Sequence, residues 1–418
     1  MHELRSLSDI HWPELLNRRF TASPEAWEDQ VLYFVMVDRF SDGNERGYRD
    51  ISGALVTHGE TPPFSPSDYN SAVQTEEEAA RWRAAGDTFC GGNLQGLTTK
   101  LGYLSRMGVT TIWLSPVLKQ AHYDQTTYHG YGTQDFLDID PHFGTREELR
   151  LFVSRAHELG MSVVLDIIFN HAGNVFSYSA PDQSALLGPS FNQTGAYPVV
   201  GFNDQNGQPT FPFSTIDLSQ HPTAWPDGAI WPRELQREDA FARRGCIDAY
   251  EEPEQFLHGD FMKLKDFALG TEREGGFRPS IALQALTQVY LYWMAYADLD
   301  GYRIDAVKHM ELGAVAYFVD QMQGFAKQLG KENFYCIGEV AGGRARAAEV
   351  LSRAGLSAIL AVDDVPGALE QLVKGTAEPE QYFNFFSNDE PGSSASSDAT
   401  KWQRHNVVTM YDDHDQIR

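Results

Sequence analysis

Acidic and basic side chains recur where four apolar segments of the chain end. The segments are "DIIFNH" with Asp166, Asn170 and His171, "GYRIDAVKH" with Arg303, Asp305, Lys308 and His309, "IGEV" with Glu339, and "YDDHDQ" with Asp412, Asp413, His414 and Asp415. A single acid at a strand end is commonly structural. The carboxyl ends of successive parallel strands meet at one mouth, however, so carboxylates at several of them converge. The sequence therefore predicts one shared site.

Clustered carboxylates can hold a metal ion, share a proton or attack a sugar. In the sugar reaction, two carboxyl groups lie roughly 5 Å apart, and one attacks while the other protonates the leaving oxygen. This chemistry needs an acid with a raised pKa beside an ionised nucleophile. Arg303 and Asp305 are two positions apart and so face the same way on a strand, where the arginine would keep the aspartate ionised. The alternative is that Arg303 and Asp305 form a buried structural ion pair, in which each charge is balanced by the other.

Seven apolar segments are predicted as strands that alternate with helices. They are residues 32–37, 110–114, 162–169, 301–307, 334–338, 357–362 and 407–411. In the clearest unit, Thr145 and Glu148 fit a capping box that starts a helix, and Gly160 fits its end. Such alternation predicts a parallel α/β sheet covered on both faces, either a barrel or a doubly wound sheet. Because no glycine-rich dinucleotide motif follows the first strand, a (β/α)8 TIM barrel is favoured.

The alternation of strands and helices is interrupted between residues 171 and 265. This segment is rich in Pro, Gly, Asn and aromatic residues and is too long for a connecting loop, so we expect an inserted subdomain after the third strand. The remaining divisions are an N-terminal extension at 1–30, a first barrel part at 31–170 and a second at 266–418. Since an eighth strand and its helices would have to follow residue 411, we expect this sequence to be a fragment of a longer protein.

Composition narrows the class of protein further. A formal net charge of -25 opposes nonspecific nucleic-acid binding, and no apolar run reaches the length of about 18 residues that a membrane helix needs. Cys90, Cys246 and Cys336 lack metal-type spacing, so neither a disulfide framework nor a zinc site is expected. The N-terminus lacks a signal-peptide pattern, which indicates a cytoplasmic protein or a processed secreted form. We expect a monomer that binds neither nucleic acid nor membranes.

The order of "DIIFNH", "GYRIDAVKH", "GEV" and "HD" resembles the four signature regions of the alpha-amylase superfamily of retaining glycoside hydrolases. The resemblance extends to "VMVDRFSDGN", "GGNLQGLTTKLGYLSRMGVTTIWLSPV" and "YHGYGTQDFLDIDPHFGT", and covers most of residues 31–418. It implies a (β/α)8 catalytic barrel, usually followed by a C-terminal β domain, and cleavage of α-1,4 bonds in starch, glycogen or maltodextrins. An α-glucan transglycosylase, an isomerising enzyme and a non-catalytic glycan-binding homologue are the alternatives.

The resemblance also implies roles for individual residues. Asp305 would be the nucleophile, Glu339 the general acid/base and Asp415 the residue that stabilises the transition state. The residues implied in substrate binding are His129, Tyr131, His171, Arg303, Lys308, His309 and His414, with Lys308 and His309 on the leaving-group side. Gly132 stands where many relatives have tryptophan, and Asp413 where asparagine is common, so the product pattern stays open.

Calcium is the metal that the resemblance implies, and asparagine, aspartate and carbonyl oxygens are the hard ligands that it prefers. A first site would use Asn170, Asp266 and the backbone carbonyl of His309. A second site would lie in the first loop, with ligands from Asp42, Asn44, Gly91 and Asn93. Its alternative is an ordinary Asp-Gly turn.

Overall fold

The structure is a computed structural model that describes residues 3–43, 88–124, 127–180, 188–341, 343–360, 364–384, 406–410 and 413–415. The strands in these ranges are β1 (Leu32–Val35), β2 (Thr111–Leu114), β3 (Leu118–Gln120), β4 (Thr133–Ile139), β5 (Ser162–Ile167), β6 (His171–Ala172), β7 (Phe176–Tyr178), β8 (Val199–Phe202), β9 (Lys265–Asp266), β10 (Gly270–Arg273), β11 (Gly276–Pro279), β12 (Gly301–Ile304), β13 (Tyr335–Glu339) and β14 (Ala358–Leu360).

The helices in the same ranges are α1 (Trp12–Leu16), α2 (Val37–Phe40), α3 (Leu94–Thr99), α4 (Leu101–Arg106), α5 (Arg146–Glu158), α6 (Pro253–His258), α7 (Ile281–Ala297), α8 (Leu312–Gln328), α9 (Gly343–Ala354), α10 (Asp364–Lys374) and α11 (Pro379–Asn384). None of these described helices has both the length and the apolar character that a membrane span requires.

A curled parallel sheet in the order β1–β2–β5–β12–β13–β14 carries the candidate site. Its strands match six of the seven predicted from the sequence, which confirms the parallel α/β architecture. The predicted seventh strand is represented within the described residues by Val407, which forms a parallel bridge to Ile359. Four of these six strands, β1, β5, β12 and β14, end earlier than predicted.

Helix α5 shows how the local sequence fixes these elements. Its first turn is capped by Thr145, whose hydroxyl accepts a hydrogen bond from the N–H of Glu148, as the sequence predicts. Leu149 and Phe152 lie on its buried face. The chain leaves the helix through Gly160 at φ +74°, a left-handed conformation that favours glycine. The helix therefore begins and ends where its sequence signals lie.

The segment between β5 and α7 contains short antiparallel pairs, β6 with β9, β7 with β8 and β10 with β11. The Phe176 ring contacts those of Phe213 and Phe241 with centroids 5.1 and 5.0 Å apart. Both Phe176 and Phe241 belong to the same hydrophobic core as the helices around the sheet. The segment thus packs against the sheet through a shared core, and its status as a separate subdomain stays a prediction.

A cavity of about 1110 Å³ lies between the β1 edge of the sheet and residues 407–410. Its walls include the rings of Trp27, Phe34 and Trp113. Trp27 and Trp113 belong to a small apolar cluster with Met410, distinct from the main core. Among the described residues, then, the curled sheet does not close into a full cylinder.

Asp135 on β4 makes the stability of the protein depend on pH in a way that can be measured. It is fully buried; Oδ1 accepts the N–H of Leu137 at 2.8 Å, and Oδ2 has no hydrogen-bond partner within the described part of the chain. Burial raises its pKa to about 7. Between its ordinary pKa and this value, the native state holds a proton that the unfolded chain has released, so the free energy of unfolding falls as pH rises.

We expect the Asp135→Asn variant to lose part of this pH dependence. The slope of the free energy of unfolding against pH should become less negative by up to about 1.4 kcal/mol per pH unit, the value for one proton. Urea unfolding at a series of pH values from about 4 to 8 measures it. Asp320→Asn, at an exposed position of α8, is the matched control and should keep the parent slope. An unchanged slope in Asp135→Asn would contradict the prediction.

Candidate active site

Arg303 on β12 is the centre of the site, and its side chain is fully buried. The β12–β5 register places Arg303 opposite Asp166. The guanidinium contacts four carboxyl groups: Nη1 is 3.0 Å from Asp166 Oδ1 and 2.6 Å from Asp305 Oδ1, while Nη2 is 3.2 Å from Glu339 Oε2 and 4.0 Å from Asp415 Oδ2. The predicted convergence of carboxylates from several strand ends is therefore confirmed.

These four carboxyl groups carry more negative charge than one guanidinium can balance. Burial raises the pKa of Asp166 to about 7. Asp415 lies at the rim with its side chain 55% exposed, and partial burial together with the neighbouring Glu339 raises its pKa to about 6. Like charges in a buried site cannot all ionise together, so the cluster retains protons near neutral pH.

The pKa directions of Asp305 and Glu339 are opposite to those expected from the sequence. Burial raises the pKa of Asp305 well above its ordinary value, although Arg303 opposes this. Burial also raises the pKa of Glu339, but the Arg303 guanidinium and a backbone N–H outweigh burial, so the pKa of Glu339 is lowered. That N–H belongs to Ala306 and lies 2.8 Å from Glu339 Oε2. In this geometry the two directions favour the proton on Asp305, and which carboxyl group holds it during a reaction stays a prediction.

Ala306 owes its contact with Glu339 to an unusual backbone conformation. Its φ of 54° and ψ of 37° lie in the left-handed region, which residues other than glycine seldom adopt. The turn brings its N–H to the carboxylate and starts the 3₁₀ turn Val307–His309. Backbone strain of this kind persists where the surrounding structure enforces it, often at functional sites.

Three aromatic rings, those of His129, Tyr131 and His414, form one wall of the site. Their successive ring centroids are each 5.5 Å apart. The Tyr131 hydroxyl lies 3.0 Å from Asp166 Oδ2 and 2.7 Å from His414 Nε2. Burial lowers the pKa of both histidines to about 4, so they are neutral near pH 7. Three of the predicted substrate-binding residues thus lie together.

Two residues of this network go beyond the roles assigned from the sequence: Asp166, which was predicted to lie at the shared site without a role of its own, and Trp113, which was not predicted there. Asp166 receives hydrogen bonds from Arg303, from Tyr131 and, at 3.0 Å, from Trp113 Nε1. The available signal for Asp166 was its position on the strand before "NH", in register with Arg303. Trp113 lies within "TIWLSP", where an indole on an apolar strand is indistinguishable from a core residue.

The remaining predicted binding residues lie where segment 171–265 meets the sheet. His171 is buried, and its Nε2 has no hydrogen-bond partner among the residues the structure describes. Lys308 Nζ lies 2.9 Å from Glu251 Oε1, and His309 Nδ1 lies 3.0 Å from the carbonyl of Phe256. Lys308 and His309 therefore contact that segment directly.

The residues predicted for the first calcium site fit a hard cation. The register of β6 with β9 pairs His171 with Asp266, directly after Asn170. Asn170 Oδ1 and Asp266 Oδ2 are buried and, in the described ranges, have no hydrogen-bond partner. Buried oxygens of this type are normally satisfied, and a bound cation would satisfy both. His309, whose carbonyl is the third predicted ligand, is near enough to contribute to the lowered pKa of His171.

The second predicted calcium site is less complete. Asn93 Nδ2 lies 3.3 Å from the carbonyl of Asp42 and 3.4 Å from that of Gly91. Its Oδ1 already accepts the N–H of Gly96 and so caps α3. Asn44 lies outside the described residues. This site stays a prediction, with a capping role for Asn93 that needs no cation.

Comparison with known proteins adds independent information. Residues 34–353 match the catalytic domain of the alpha-amylase family. An alpha-amylase from Streptomyces lividans is 31% identical over 273 residues, which are 60% of this chain and 27% of that protein. The periplasmic alpha-amylase of Escherichia coli strain K12 is 31% identical over 324 residues, 70% of this chain and 43% of its own.

Two further relatives extend the range of activities and confirm the fold. A cyclomaltodextrin glucanotransferase from Klebsiella oxytoca is 26% identical over 323 residues, 74% of this chain and 37% of that one. The crystal structure of an Anoxybacillus alpha-amylase superposes with a TM-score of 0.60 at 23% identity, covering 94% of this chain and 64% of that one. The chain spans less than half the length of these three curated relatives.

Proposed function

Because this chain belongs to the alpha-amylase family, whose catalytic domain is a (β/α)8 barrel, we propose that it cleaves α-1,4-glucosidic bonds in starch, glycogen or maltodextrins with retention of configuration. One observation carries the proposal. Asp305 and Glu339 converge on the Arg303 guanidinium at 2.6 and 3.2 Å, where the adjacent strands β12 and β13 end. Two carboxyl groups so placed suit a double displacement at a sugar carbon.

In this reaction Asp305 attacks the anomeric carbon while Glu339 protonates the leaving glucosidic oxygen. The bond to the leaving sugar breaks, and the glycosyl group is held as an ester of Asp305. Glu339 then takes a proton from water, whose oxygen displaces Asp305. Asp415, at the rim of the same cluster, stabilises the positive charge that develops on the sugar ring.

The reaction requires the proton on Glu339, whereas the geometry described above favours it on Asp305. A sugar seated between the two carboxyl groups separates Glu339 from Arg303 and from the N–H of Ala306. These are the contacts that lower its pKa, and burial, which raises it, then prevails. In the proposed reaction, substrate binding would therefore have to place the proton on Glu339 before the bond breaks.

Three groups of the site suit the sugar itself. His171 Nε2 and His414 Nδ1 are buried and lack a partner within the described residues, so each can bond a sugar hydroxyl. The Tyr131 ring offers an apolar face for stacking.

Transfer to a second sugar instead of water is the other candidate function. The rings of Tyr250, Phe256 and Phe261 surround His309 with centroids 5.7–6.5 Å from it, and Tyr250 and Phe261 are partly exposed. Exposed aromatic faces on the leaving-group side would hold an acceptor sugar and exclude water. The glucanotransferase among the relatives makes this route chemically reasonable.

Products from maltoheptaose distinguish these functions. Shorter sugars with new reducing ends indicate hydrolysis, while longer or cyclic products indicate transfer. Asp305→Asn is the control that should yield neither. If the parent protein releases no product from maltoheptaose or starch across the neutral and mildly acidic range, the proposed function is wrong.

Calcium should stabilise this protein through Asn170, Asp266 and the His309 carbonyl. At a calcium concentration 100 times the Kd, binding adds about 2.7 kcal/mol to the free energy of unfolding. We expect a chelator to lower the Tm of the parent but not that of Asp266→Asn, which lacks the charged ligand. Asp217→Asn, at an exposed position of the same segment, should respond like the parent. An equal response of parent and Asp266→Asn to the chelator would contradict this ligand assignment.

A further inference from the structure

Two histidines and an aspartate form a cluster at the β3–β4 hairpin, outside the candidate active site. His122 Nε2 lies 2.9 Å from Asp140 Oδ2, and His142 Nδ1 lies 2.8 Å from Asp140 Oδ1. Each residue offers one ligand atom, and these three atoms lie within 4.8 Å of one another. Imidazole nitrogens together with a carboxylate are ligands that zinc and related transition metals prefer.

The Asp140 carboxylate is held by the backbone. Its Oδ2 accepts the N–H of Gln120 at 2.9 Å, and its Oδ1 accepts the N–H of His142 at 2.9 Å. The side chain is fully buried. The carboxylate therefore keeps its position without the two imidazoles and is a preformed ligand.

The two imidazole rings are oriented by their own contacts. The His142 ring stacks on Phe89 with a centroid distance of 3.8 Å and an interplanar angle of 8°. The His122 ring stands at 89° to that of His142, 5.3 Å away. Two perpendicular rings direct their nitrogens to the same carboxylate. Both side chains are partly exposed, 31% and 45%, so solvent reaches the cluster.

We propose that His122, Asp140 and His142 bind one divalent transition metal ion of the zinc class, with water completing the coordination. Metal binding needs His122 Nε2 and His142 Nδ1 without protons, so in each neutral ring the proton moves to the other nitrogen. This site differs in chemistry from Asn170 and Asp266, whose oxygen ligands suit calcium.

The metal would fix the loop that carries His129 and Tyr131, two of the three rings of the aromatic wall. The backbone N–H of Gln120 bonds to Asp140, and its side chain accepts the N–H of Gly132 at 2.7 Å and donates to the carbonyl of Gly130 at 2.8 Å. Gly130 and Gly132 flank Tyr131. A metal at Asp140 therefore holds the hairpin on which Tyr131 stands, whatever reaction the site performs.

The test is a calorimetric titration of the full chain with Zn²⁺. Calcium is present in excess, so that sites with oxygen ligands are already filled. We expect one equivalent to bind saturably. Co²⁺ in place of Zn²⁺ should give the visible absorption of a low-symmetry nitrogen and oxygen site. No saturable binding of either ion would overturn the proposal.

Variants of the two histidines test whether the bound Zn²⁺ lies at the cluster. His122→Ala and His142→Ala should each weaken Zn²⁺ binding by at least about 10–100-fold, the loss seen when a metal site is only indirectly disturbed. His221→Ala, a partly exposed histidine elsewhere in the chain, should bind like the parent. Circular dichroism confirms that each variant is folded, and unchanged affinity in both cluster variants would place the ion elsewhere and overturn the proposal.

Discussion

Replacement of Glu339 by glutamine is expected to lower kcat on maltoheptaose by about 10²–10⁴-fold, the contribution typical of a positioned general acid. Glutamine keeps the size of the side chain but cannot donate a proton to the leaving sugar. An α-maltosyl fluoride does not need this proton, because fluoride leaves unaided. With that substrate the variant should form the glycosyl-enzyme at a rate near that of the parent and then stall, which a burst of fluoride release measures.

Asp305→Asn is the complementary variant. It lacks the nucleophile and should give no fluoride burst, since both steps need the carboxylate. Glu251→Gln makes the same acid-to-amide change at an exposed residue that contacts Lys308, and should retain kcat within a few-fold. A fluoride burst in Asp305→Asn together with none in Glu339→Gln would reverse the two assigned roles.

Replacement of Arg303 by methionine is expected to have the largest effect on stability. The change leaves Asp166 and Asp305 buried without their shared cation, and breaking a buried ion pair from one side costs about 3–5 kcal/mol. Arg303 also holds the pKa of Glu339 below its ordinary value, and the stability that comes from this is present near neutral pH and lost in acid as Glu339 takes up a proton. The loss of stability should therefore be larger near neutral pH than in acid.

Urea unfolding of Arg303→Met at acidic and neutral pH tests both parts of this prediction. Arg353→Met is the control, because Arg353 forms an exposed pair with Glu349 on α9 and should lose no more than about 1 kcal/mol. A loss for Arg303→Met that is as small as this, or that is independent of pH, would show that the guanidinium does not hold the cluster together.

The convergence of charged residues was predictable from the sequence because strand periodicity is a local property. Arg303 and Asp305 share a face by spacing alone, and strand order then brings Asp166 beside them. The pKa directions were not predictable, because that of Glu339 depends on the approach of Arg303 from the neighbouring strand and on the left-handed turn at Ala306, which no residue type signals. The cluster of His122, Asp140 and His142 was missed for a similar reason.

These three residues come together because β3 pairs with β4 through an irregular register, which the sequence does not reveal.

The glycine at position 132 is also explained by packing that the sequence does not reveal. A Cβ at this position would lie 2.8 Å from Thr127 Cγ2, so a side chain such as tryptophan cannot stand here without a shift of that turn. The glycine therefore meets a packing requirement of this chain.

The cavity beside β1 has a consequence for how the site moves. Within the described residues, β12 is paired on both sides, whereas β1 is paired only with β2. Strands with a single partner open at lower cost, so amide hydrogens of β1 should exchange with solvent before those of β12. His414 packs on Phe34 of β1, while Arg303 and Asp305 belong to the doubly paired interior. Local opening would therefore detach His414, which contacts Tyr131, while Asp305 and Arg303 stay in place.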